Sequence, residues 1–283
     1  MIAIGRRVAQ QRDRSVGTLK AFARRQDAVA ALEFALISPV MIFTLFAAAD
    51  LSSALSLTRR MTNAADVIAQ LVSQQVAPSD EGGSTPTGTI TDAELLADFA
   101  SLLTTLPDVM NDAASQGENW FADIQPIVTS VTFGPAAQAI IPIPGGPAPV
   151  VNTATATWSV GPANSGFTQT RACGPLTMAP SNQASPTLTT LPPGVYVPGT
   201  ATSPGTVIVV DLTYVFRPTF TYWLTGPFTF QRTAYIVPRF FTQLTYGTPS
   251  GTGVTSATSG STTSYTAPGA PSMKSCTWGG TLP

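Results

Sequence analysis

Three carboxylates, Asp92, Glu94 and Asp98, lie within two helical turns of one another, and Cys173 and Cys276 are the only thiols in the 283-residue chain. A carboxylate cluster could hold a hard cation, and a thiol pair could hold a soft one or form a disulfide. Histidine is absent. That removes the commonest general base and metal ligand, so no Ser-His-Asp or Cys-His nucleophile can be assembled. Two cysteines also fall short of the roughly four Cys or His ligands of a structural zinc site. The acidic trio reads better as the opening turns of a helix, where negative charge favours the macrodipole and faces water. The Gly-Gly and Ser-Gly runs lack the strand-to-helix setting of a phosphate-binding loop. These residues name no cofactor, no metal and no enzyme.

Glu33 raises a different chemistry. It is the one charge in the run Val29–Ala49, whose 21 residues would span about 30 Å as a helix, the thickness of a bilayer core. Pro39 removes one backbone bond and predicts a mild kink. A carboxylate at this depth costs a few kcal/mol unless protonated or paired. Two readings are open: the side chain snorkels to the nearby interface, or it waits for a cation supplied by another subunit.

Charge distribution orients that run. The chain holds 14 Lys+Arg and 15 Asp+Glu, and only 10% of its residues are charged, against a usual ~25%. Residues 1–25 nevertheless carry seven bases against Asp13 alone. A nucleic-acid arm would suit such a leader, but the interleaved aromatics of a single-strand binder are missing and an apolar run follows at once. Basic charge before an apolar run holds that end in the cytoplasm. Residues 1–28 therefore read as a basic cytoplasmic leader, and no nucleic-acid partner is expected.

The elements that must position these residues follow from periodicity. Ala54, Leu57, Met61, Ala64, Ile68 and Leu71 recur at spacings of three and four, an apolar helical stripe with no Gly or Pro before Pro78. Val29 to Gln75 is thus expected as one helix of about 70 Å, half in lipid and half packed on a soluble domain. After a linker over 78–89, Thr91 and Glu94 form a capping box for a second helix, which Pro107 ends. Expected strands are Ile127–Phe133, Val150–Val160, Thr206–Phe216 and Phe228–Leu244, rich in Thr and Val and bounded by Gly or Pro. The fold class is α+β, pilin-like in outline: a long N-terminal transmembrane and amphipathic helix (29–77) packed on the antiparallel sheet of a domain over 90–247. The Pro/Gly loop 142–149, the region 161–205 and the Gly/Ser/Thr-rich tail 248–283 resist packing and read as flexible. An even pair of cysteines in an exported chain reads as a Cys173–Cys276 disulfide, with two free buried thiols as the alternative.

The order Arg24-Arg25-Gln26-Asp27-Ala28, then Val29-Ala30-Ala31-Leu32-Glu33-Phe34, resembles the class III signal of type IV prepilins, G-x-x-x-x-E-[FY] in the tight-adherence (Flp) version, with Ala28 in place of the usual Gly. Leu32–Pro39, Thr58–Asp66, and Val209–Pro218 followed by Gln231–Arg239 together resemble the TadE-like family of pseudopilins. That resemblance implies cleavage between Ala28 and Val29 by a prepilin peptidase, and assembly roles for Glu33 and Phe34. It also implies association with other pilins and with the assembly platform and its ATPase, in a single-pass protein of the bacterial inner membrane whose C-terminal body is periplasmic and can join a surface pilus. Two other readings stay open. One is a secreted binding protein cleaved after Ala47-Ala48-Ala49, which fits the small-residue rule. The other is an uncleaved signal anchor with a structural role at the envelope.

Overall fold

In the computed structural model the described residues are 26–74, 87–133, 154–163, 171–178, 190–192, 195, 197, 205–220, 226–247, 252–267 and 272–280. Residues 1–25 of the basic leader, most of the linker 78–89 and the loop 142–149 lie outside them. So does residue 150, the expected start of one strand.

Helix α1 runs Gln26–Ser73, through Pro39. Strand β1 (Thr87–Ile90) is followed by α2 (Asp92–Ala100), α3 (Leu102–Thr105) and α4 (Asp108–Gln116). The second helix was expected to run unbroken to Pro107; it breaks at Ser101, whose hydroxyl donates to the Asp98 carbonyl at 2.6 Å and competes with the helical ladder. Beyond Pro107 the chain resumes as α4, which periodicity did not reveal, and Gly117 closes it in the left-handed region (φ 68°). The Thr91 cap forms as expected: the Glu94 carboxylate accepts from the Thr91 N–H at 2.8 Å, and the Glu94 N–H donates to the Thr91 hydroxyl.

The strands are β2 (Ile124–Phe133), β3 (Ala154–Pro162), β4 (Gly174–Met178), β5 (Thr190–Leu191), β6 (Gly205–Phe216), β7 (Phe228–Ile236), β8 (Gln243–Tyr246), β9 (Thr255–Ser259), β10 (Thr262–Ala267) and β11 (Met273–Trp278). The main sheet has the order β7-β6-β2-β3-β11-β10-β9 and every pair along it is antiparallel. β1 and β8 form a separate parallel pair. The strand expected over 228–244 is two strands, because Pro238 offers no N–H to a ladder and β7 stops just before it. The larger departure is the tail. Residues 255–278 contribute β9, β10 and β11, paired through β11 onto β3. β9 is exposed throughout, whereas β11 buries Met273, Ser275 and Cys276, so backbone pairing, the disulfide and a few buried side chains order a segment whose composition gives little sign of it. Ser259 and Thr262 pair across the two-residue turn Gly260-Ser261, and Gly260 takes the positive φ (58°) that such a hairpin turn requires.

The chain divides into two compact units, residues 1–54 with 218–226, and 55–217 with 227–283. In the second unit, Leu57, Met61, Ala64, Ala65, Ile68, Ala69 and Val72 of α1 share a core with Val128, Trp158, Val160, Ile208, Val210 and Leu212 of the sheet. This is the helix-on-sheet packing that the stripe predicts, with Val72 inward where Leu71 was expected. Alternation along β6 then aims Val207 and Val209 at the opposite face, where Val131, Phe133, Ala154, Ala156, Leu176 and Leu191 form a second core. β3 serves both cores by means of a bulge. Ser130 pairs with Trp158 but Val131 pairs with Ala156, so Thr157 is the extra residue and the strand changes face there. The Thr157 hydroxyl donates to the Ser130 carbonyl at 3.1 Å.

Candidate functional site

The N-terminal half of α1 turns its apolar residues outward. From Val29 to Phe46, all eleven large apolar side chains are exposed, Phe34 and Leu36 to 70% and 74%. Among the described residues, one helical stretch, Val29–Ser73, is long and apolar enough to cross a membrane. Its hydroxyls make few demands on solvent: Thr44 donates to the carbonyls of Val40 (3.0 Å) and Met41 (2.9 Å), and Ser53 to that of Ala49 (3.1 Å). A polar side chain bonded back to its own helix can face hydrocarbon without an orphaned donor. Glu33 and Phe34 are both exposed, and Val29, four residues before Glu33, shares its helix face. The Ala28–Val29 peptide lies within the helix, while the Ala28 side chain is outside the described residues.

Asp50 was read from sequence only as the residue after a candidate signal cleavage point. It is the one buried residue among the described side chains of residues 29–54, at 6% exposure. Its carboxylate accepts the backbone N–H groups of Thr219 (3.1 Å) and Phe220 (3.2 Å), and the Phe220 ring stacks on Phe46 at 4.8 Å, with the planes 5° apart. The only signal was a charge closing a long apolar run, and its partners lie some 170 residues away in sequence.

The second unit holds the cysteines. Cys173 and Cys276 form a disulfide with Cα atoms 6.0 Å apart, closing 103 residues of sequence. Two residues before Cys173, Arg171 is fully buried and grips Asp211 of β6 bidentately: Nε donates to Oδ2 at 3.1 Å and Nη2 to Oδ1 at 3.0 Å. The Thr233 hydroxyl, directly opposite on β7, donates to the same carboxylate at 2.7 Å. The segment 171–173 is thus tied to β11 by a covalent bond and to β6 by a charged one. Sequence reasoning placed Asp211 in a family-like block but missed Arg171.

Other carboxylates serve structure. Asp92 accepts from the Tyr246 hydroxyl, so it is more than the solvated helix-end charge that its position suggested. Tyr214 donates to Asp112 at 2.6 Å, and Arg217 pairs with buried Asp123 at 2.5 Å. Burial first, and the carboxylate partner second, push the Tyr214 and Tyr246 hydroxyls well above the usual phenol range. Burial pushes Tyr235 up to about 12, with Arg171 opposing. Among the described residues no group of three or more His, Cys, Asp or Glu side chains is placed to hold a metal ion.

What remains is an exposed apolar helical stretch in the first unit and a packed α+β second unit. Residues 28–70 match the family model of TadE-like proteins. The chain carries a TadE-like helix. The matched residues are nearly coextensive with α1, joining the outward-facing half that bears Glu33 to the inward-facing stripe from Leu57 to Ile68. No curated protein and no solved structure matches the chain.

Proposed function

We propose that this protein is a minor, pilin-like component of a tight-adherence (Flp-type) pilus system, anchored in the bacterial inner membrane by residues 29–50 with its C-terminal body in the periplasm. One observation carries the reading: the TadE-like match falls on a helix whose first half leaves all its large apolar side chains exposed. Such a helix needs either lipid or other helices around it. The function is assembly or anchoring by helix–helix association, without catalysis. The partners are other pilins, a prepilin peptidase, and the assembly platform with its ATPase. The peptidase cuts between Ala28 and Val29, and Glu33 then pairs with the new α-amino group of a neighbouring chain's Val29.

Intact-mass analysis of the membrane fraction tests the reading. A chain starting at Val29 is expected. A start at Asp50 would establish the secreted alternative, and an uncut leader the signal anchor. Glu33→Gln should leave cleavage and insertion intact while lowering co-purification with other pilins. Unchanged association in that variant would reduce Glu33 to an interfacial residue.

A further inference from the structure

Val29 to Ala49 fills about 30 Å of helix, so Phe46 and Asp50 stand at the far end of one bilayer-core thickness from Val29. At that level the structure brings in a piece of chain from elsewhere. Just after β6 the backbone of Thr219 and Phe220 meets α1, and Asp50 accepts both of their N–H groups. Irregular backbone close to hydrocarbon must have its donors satisfied by protein, because water is scarce there. A carboxylate does this with charge-assisted bonds. Its own charge is tolerable at the end of the apolar run, whereas at mid-span it would be costly. Above the docked backbone, the Phe220 ring lies flat on Phe46, itself part of the exposed apolar run, and stays 46% exposed.

We propose that the Thr219–Phe220 segment after β6 is a second contact with the membrane: Asp50 holds it at the end of the span so that Phe220 lies in the interfacial layer of the phospholipid bilayer. The occupant is lipid because Phe220 stacks on Phe46, the last of the exposed large apolar residues from Val29 to Phe46, and both rings remain partly exposed. A phenyl ring is also a side chain that sits well at the headgroup/acyl boundary, as on the apolar face of interfacial helices. The inference rests on the reading of α1 as membrane-spanning. It adds a lipid-facing residue some 170 positions away from the span in sequence, and it assigns Asp50 the job of positioning it.

The test uses the full chain in vesicles of phosphatidylethanolamine and phosphatidylglycerol, with the photoreactive p-benzoylphenylalanine at position 220 or, separately, at position 41. After irradiation, mass spectrometry identifies the adducts. Phospholipid adducts are expected at both positions. In Asp50→Ala, the adduct at 220 should fall roughly tenfold, the effect of losing a charged hydrogen-bond acceptor, while the adduct at 41 persists. Formation of the Cys173–Cys276 bond in that variant checks that the rest of the chain has folded. Lipid adducts at 41 but none at 220, or adducts at 220 only to protein, would overturn the second contact and leave the anchor standing. An absence of lipid adducts at 41 would overturn the anchor itself. An adduct at 220 that is indifferent to Asp50→Ala would remove the positioning role.

Discussion

The two halves of α1 use apolar residues in opposite ways. From Val29 to Phe46 apolar side chains surround the helix and all the large ones are exposed; from Leu57 to Val72 most form a stripe, alternating with Thr58, Arg59, Thr62, Asn63 and Asp66, and are buried against the sheet, with Val67 left exposed. Composition alone would call both halves hydrophobic. The difference lies in angular distribution: a stripe specifies one neighbour, whereas a fully apolar circumference specifies a solvent. The first half is built for an environment, the second for a particular surface.

This contrast can be broken at several points. The largest effect should come from the charged pair that stiffens the second unit. Arg171→Met leaves the Asp211 carboxylate buried without its guanidinium and should cost about 3–5 kcal/mol in unfolding of the detergent-solubilised chain. The double variant Arg171→Met with Asp211→Leu should recover most of that loss, since it removes both charges. Next, Ile68→Ala should cost about 2–5 kcal/mol as a core truncation. Ile42→Ala, the same change in the outward half, should stay within about 0.5 kcal/mol by the same unfolding measurement. Equal costs at the two positions would erase the distinction between the halves. A gentler probe is alkaline pH. Tyr214, Tyr235 and Tyr246 are all raised above 10 in the folded state, and all lie in the second unit. A raised folded pKa contributes stability that is complete below the unfolded value and is lost as pH climbs through the folded one. The unfolding midpoint of this unit should therefore begin to fall just above pH 10 and continue falling through about 12. Helicity of the outward half should not follow it.

Legibility in the sequence tracks locality. α1, the Thr91 capping box and the alternating strands β2 and β6 are determined by neighbours within a few residues, and these were readable. The break at Ser101, the stop before Pro238 and the resumption in α4 turn on single residues within segments whose averages look continuous. The strands β9–β11 were unreadable because their order comes largely from pairing onto β3, and a Ser/Thr-rich segment in which Met273 is the one core apolar residue carries no periodic signal. The candidate site divides in the same way. Val29, Glu33 and Phe34 form a local motif on one stretch of helix, visible at once. The work of Asp50 and the grip of Arg171 on Asp211 depend on residues 169 and 40 positions away. No window along the chain contains either pair.

The extra residue in β3 bears on how the sheet avoids assembling out of step. An unbroken strand of Thr, Ala and Val could slide along its partners with little change in pairing energy. With Thr157 inserted, Ala154 and Ala156 must face one core while Trp158 and Val160 face the other. A slide by one residue would drive the Trp158 indole towards the wrong side of the sheet and strip its Nε1–H from the Leu244 carbonyl, to which it donates at 2.7 Å. A slide by two would move the bulge away from Ser130, whose carbonyl the Thr157 hydroxyl holds. The irregularity thus works as a detent. It gives the central strands one stopping position.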